Sequence, residues 1–115
     1  PSPLAAIFIG AIGAIIMYFG TKMLESFGLD DVVGAIPVHM FAGIFGTLIV
    51  PATNSDTSFG TQFIGTLSVV LFSFVLSYAV FVALKTTIGL RVSKEAERLG
   101  TDKAEIGVQA YAIRD

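Results

Sequence analysis

Three long apolar runs dominate the chain, with polar residues gathered between and after them. The first, residues 3–24, carries no charge except Lys22; a helix of about 20 apolar residues suffices to cross a bilayer. Pro3 suits its first turn, where a missing N–H leaves nothing unpaired. The second run, residues 34–50, lies at the short limit for a span, with Pro37 near its start and Pro51 just beyond its end. The third, residues 61–88, is rich in Val, Leu and Phe and meets its first charge at Lys85, whose long stem can snorkel to an interface. Turn-forming residues separate the runs: Gly28, Asp30 and Asp31 in the first gap, Asn54, Asp56 and Gly60 in the second. The pattern predicts an all-α integral membrane protein with three transmembrane helices.

Past the third run the character changes. Arg91, Lys94, Arg98, Lys103 and Arg114 alternate with Glu95, Glu97, Asp102, Glu105 and Asp115, so residues 91–115 read as a solvated tail whose charges cancel. A short helix is expected after Ser93, whose hydroxyl can cap its start, with Gly100 ending it. Residues 1–90 then form the membrane part. The basic residues gather at Lys22 and from Lys85 onward and are missing from the second gap, so the positive-inside rule puts the N-terminus outside and the tail in the cytoplasm. A cell membrane, plasma or inner, is the expected location.

Composition narrows the function classes. With 54% hydrophobic and 14% charged residues among 115, the chain does not resemble a soluble domain. A net charge of −2 gives no basis for nucleic-acid binding, and without cysteine there is neither a disulfide framework nor a thiolate metal site. No nucleophile with base and orienter, and no phosphate-cradling glycine loop, points to an enzyme or a cofactor. No basic region precedes the first apolar run, so a signal peptide is not expected, and the chain reads as a piece of something longer.

His39 is the single histidine, placed inside the second run. An ionisable group at membrane depth is costly unless neutral, paired or facing a polar cavity, which makes it a candidate for a transport path. A neutral imidazole can both donate and accept a proton. At about 100° per residue, Ala35, Ala42, Gly43 and Gly46 fall beside it as a trench of small residues, while Phe41 and Phe45 point elsewhere. The alternative is that a neighbouring helix fills the trench and His39 is structural glue. Ala6, Gly10 and Ala14, with Gly13 alongside, form a small-residue stripe on the first helix that permits close packing. Gln62, Thr66, Ser73 and Ser77 share one face of the third helix, as a pore lining or as interhelical hydrogen-bonding groups. Asp30 and Asp31 precede the second helix, where carboxylates meet its N-terminal dipole; a conducting or gating role is the other reading. No further ligands lie near them to make a metal site.

The run Asp30-Asp31-Val32-Val33-Gly34-Ala35-Ile36-Pro37-Val38-His39-Met40-Phe41-Ala42-Gly43-Ile44-Phe45-Gly46-Thr47-Leu48 resembles the Asp-Asp, Val-His and Gly-x-x-Gly-Thr-Leu pattern of the Amt/Mep/Rh ammonium transporter family. Gly89-Leu90-Arg91-Val92, with Ala110-Tyr111 further on, is similar to the family's tail. The resemblance extends over essentially all 115 residues. It implies the last three of about eleven helices plus the tail, in a homotrimeric membrane protein. It also implies that His39 is the second of twin pore histidines, whose first member belongs to a helix outside this chain. In the family, ammonium is thought to release a proton so that ammonia and the proton cross separately. Two departures stand out. Met40 replaces a glycine common after the histidine, and Ile106-Gly107-Val108-Gln109 replaces a His-Gly-Glu type sequence in the tail segment that supports regulation by PII signalling proteins. A different class, a non-transporting membrane anchor or assembly subunit with a structural His39, fits the residues without the resemblance.

Overall fold

The computed structural model describes residues 1–110; Tyr111, Arg114 and Asp115 lie outside the described residues. The described residues form helices and turns with no strand. By contact they divide into two compact units, Pro1–Phe74 and the residues from Val75 on.

In the first unit, α1 spans Pro3–Ser26. Ser2 caps it, its Oγ accepting from the Ala5 N–H at 3.2 Å, and Pro3 occupies the first turn as expected. The helix ends at Ser26, two residues beyond the predicted run, and is closed by Gly28 at φ +70° and by the Leu29 N–H reaching back to the Leu24 carbonyl at 3.1 Å. Its 24 residues rise about 36 Å at 1.5 Å each, enough for the hydrocarbon core.

The second run is not one regular helix. It comprises a π-helical turn at Ile36–Phe41, α2 at Ala42–Leu48 and a 3-10 turn at Val50–Ala52. The start explains the departure. Pro37 offers no N–H, so the opening turn relies on the Asp31 carboxylate, which accepts from the Ala35 N–H at 2.9 Å and the Ile36 N–H at 2.8 Å. The Ala42 N–H then bonds to the Pro37 carbonyl five residues back, which fits one extra residue into the turn.

The second gap is built from local bonds. Asn54 Oδ1 accepts from the Asp56 N–H at 3.0 Å, and Ser58 Oγ accepts from the Thr61 N–H at 3.2 Å at the start of α3, Phe59–Thr87. α1 and α3 are long and apolar enough to cross a membrane; Ile36–Ala52 is apolar but shorter.

α1 packs against the π turn and α2. The contact line on α1 runs through Ile9, Gly13, Met17, Gly20 and Leu24, spaced by three or four residues. Leu24 is 7% exposed and Pro37 is fully buried, yet most large apolar side chains face outward, Phe63 and Phe72 of α3 among them. Such a surface suits lipid or further helices, since lipid removes the need for an apolar core. This is an all-α integral membrane chain.

In the unit from Val75 on, α3 ends at a turn where Gly89 has φ +82° and its N–H bonds to the Leu84 carbonyl at 2.9 Å. α4 follows at Lys94–Leu99, with Ser93 Oγ accepting from the Ala96 N–H at 3.1 Å and Gly100 at φ +96° ending it, as the sequence predicts. A second π turn, Asp102–Ile106, completes the described tail.

Candidate functional site

The π turn decides which residues stand with His39. Each π residue turns through less than the α-helical 100°, so faces counted at 100° per residue drift across Ile36–Phe41. The His39 side chain is exposed and makes no hydrogen bond to another described residue. Ala35 and Gly43, four positions to either side, are exposed with it. Ala42 and Gly46 are not: with Val38 and Phe45 they line a cleft of about 330 Å³ against Gly10, Gly13 and Ala14 of α1. The expected trench is therefore divided between an outward half at Ala35 and Gly43 and an inward half at Ala42 and Gly46.

The small-residue stripe lies beside the true contact line. Gly10 and Ala14 are exposed at the cleft margin, and a Cβ added at Gly10, Gly43 or Gly46 would meet nothing within 4 Å. The close approach is instead at Gly20, where an added Cβ would lie 2.4 Å from Phe41 Cδ2. Sequence reasoning missed Gly20. Its signal was a glycine deep in a helix, where it weakens the helix by about 1 kcal/mol relative to Ala and so implies a packing reason.

The two acids separate in role. Asp31 spends both carboxylate oxygens on backbone donors at the helix start, whereas Asp30 is exposed. Both line a cleft of about 420 Å³ of mixed character, with Glu25 and Thr21 beside Leu24, Val33 and Pro37. Among the described residues, no cluster of three metal-ligating side chains occurs. On α3, Gln62 Nε2 donates to the Thr47 carbonyl at 2.9 Å, tying α3 to the end of α2. Thr66 is half-buried one turn on, while Ser73 is exposed; Ser77, in the second unit, is exposed as well.

In the tail, Arg91 grips Glu97 through two contacts, Nε to Oε2 at 3.1 Å and Nη2 to Oε1. The hydrogen bond from Arg91 holds the Glu97 carboxyl below its usual range, and the same bond raises the guanidinium. Asp102 is lowered by the backbone N–H of Ala110, which it accepts at 2.8 Å, and by that of Lys103. Gly89 and Leu90 form the turn leading to Arg91 and Val92, and Asp102 holds the start of the Ala110-Tyr111 motif.

A sequence profile of the Ammonium Transporter Family matches residues 1–111. The ammonium transporter Amt2 of Archaeoglobus fulgidus is 38% identical over 130 aligned positions, covering 95% of this chain and 28% of the relative. Amt2 of Methanocaldococcus jannaschii is 33% identical, with 96% and 28% covered, and the ammonium transporter of Aquifex aeolicus is 30% identical, with 96% and 29% covered. The chain thus spans under a third of the length of these relatives. No solved structure matches it. With nearly its whole length matched, the chain belongs to the ammonium transporter family.

Proposed function

We propose that this chain forms part of a path conducting ammonium or ammonia across a membrane, with His39 on the path and a second histidine supplied from outside these residues. The observation that carries the reading is that His39 is exposed on a π turn whose other side is packed on α1, so the imidazole is available to whatever lies beyond this helix layer. The names of the relatives support ammonium as the substrate.

The chemistry follows from desolvation. A narrow apolar passage cannot replace the hydration of a cation, so potassium is rejected, whereas ammonium can surrender a proton and cross as a neutral species. An imidazole serves there because one ring nitrogen donates while the other accepts. Asp30, on the cleft before the π turn, adds negative charge at the mouth of this passage.

Residues 1–90 are membrane-embedded in this reading, with the N-terminus outside the cell membrane and residues 91–115 in the cytoplasm, where Arg91, Val92 and the Ala110-Tyr111 segment support a homotrimer. The tail is also where a PII-type regulator would bind, although Ile106-Gly107-Val108-Gln109 removes the family's His-Gly-Glu surface. The test is uptake of labelled methylammonium by cells lacking their own ammonium transporters and expressing the full-length protein. Accumulation above the empty-vector control is expected; its absence in cells that carry assembled protein in the membrane would reject transport in favour of an anchoring role.

A further inference from the structure

The two residues that flank His39 by two positions on either side, Pro37 and Phe41, meet at one point on α1. A Cβ at Gly20 would lie 2.4 Å and 2.9 Å from Phe41 Cδ2 and Cε2, and 3.4 Å from Pro37 Cβ. Gly10 and Gly13 on the same helix have open space. Pro37 and Phe41 also bracket the π turn, and the hydrogen bond from the Ala42 N–H to the Pro37 carbonyl closes that turn across His39. Both ends of the loop bearing the imidazole therefore rest on a glycine hydrogen. Overpacking a close-packed contact forces side chains and backbone to shift, so a methyl group at this point must move the Phe41 ring that ends the turn.

We infer that Gly20 is a positioning residue for His39: it seats Pro37 and Phe41 and thereby fixes the direction in which the intervening imidazole leaves the helix. Gly20 is buried and acts through the turn seated on it. Its consequence for transport rests on the proposed role of His39, but its consequence for geometry does not.

The test uses the full-length protein with His39→Cys, modified by a small cationic methanethiosulfonate and read by mass spectrometry of the peptide carrying position 39. Introducing Gly20→Ala is expected to change the modification rate several-fold, and adding Phe41→Ala, which removes both colliding ring atoms, is expected to restore it. An unchanged rate in assembled Gly20→Ala protein, or a changed rate that the second substitution does not restore, overturns the inference. If Gly20→Ala does not assemble, Phe41→Ala alone decides: it empties the seat, so an unchanged rate again overturns the inference. In parallel, with His39 intact, Gly20→Ala is expected to lower ammonium flux by about tenfold, since displacing a functional group by around 1 Å has effects of this order or larger, and the double variant is expected to recover it. Full flux in His39→Ala would reject the pore role of His39, while a His39→Cys labelling rate that Gly20→Ala changes and Phe41→Ala restores would leave the positioning role in place.

Discussion

Removing the Asp31 carboxylate should open the start of the π turn without unfolding the helices around it. Asp31 accepts two backbone N–H donors at 2.9 and 2.8 Å, and the third position, Pro37, has none to satisfy. Loss of an ordinary N-cap side chain costs about 1 kcal/mol, and ionised acceptors bind roughly twice as strongly, so Asp31→Ala should weaken the turn by about 2 kcal/mol. Since about 1.4 kcal/mol is a factor of ten, amide exchange at Ala35 and Ile36 should accelerate by roughly 30-fold. Asp31→Asn retains one acceptor oxygen and should lie between wild type and Asp31→Ala. Hydrogen–deuterium exchange of the detergent-solubilised full-length protein, read on the peptide containing Ala35 and Ile36, measures the effect. Equal protection in wild type and Asp31→Ala, or a larger effect from Asp30→Asn than from Asp31→Ala, would refute the capping argument.

Gln62→Ala removes the donor to the Thr47 carbonyl, which should loosen the α2 to α3 connection by about 1 kcal/mol and speed proteolysis in the second gap; unchanged cleavage would show that the bond contributes nothing. The local fold of the tail should loosen slightly on acidification. Glu97 and Asp102 have lowered folded values, so their contribution is complete above the ordinary carboxylate range and disappears as pH falls through those values, while Arg91 stays charged throughout. Arg91 and Glu97 are exposed and Asp102 is only half-buried, so the effect should be small and weakened by salt. Exchange protection of residues 94–106 compared at neutral and strongly acidic pH checks it, and protection that rises on acidification would contradict the sign.

Local chemistry made much of the fold legible. Ser2 and Pro3 start α1, Ser93 and Gly100 bound α4, and the apolar runs give two membrane-length helices, because each signal acts within a turn or two of itself. The turn around His39 was not legible. Its π geometry combines a missing N–H at Pro37, a carboxylate arriving from Asp31 and a ring seated on Gly20, a residue of another helix. Counting faces at a fixed angle therefore grouped Ala42 and Gly46 with His39, whereas the structure turns them toward α1. Likewise two adjacent acids look alike in sequence, and only the backbone path after Gly34 determines that Asp31 reaches the helix start. Most of α3 explains little by itself, because its apolar surface is turned outward.

The central claim is that His39 stands on the conducting path, and substitution of that one side chain tests it most directly. Full-length wild-type and His39→Ala proteins are purified, checked for equal oligomeric assembly, and reconstituted in proteoliposomes under matched inward ammonium and potassium gradients. The account predicts at least about a tenfold loss of ammonium flux or of discrimination against potassium, about 1.4 kcal/mol on the transport barrier, with assembly intact. Wild-type flux with wild-type discrimination in His39→Ala would contradict it and return His39 to a structural role.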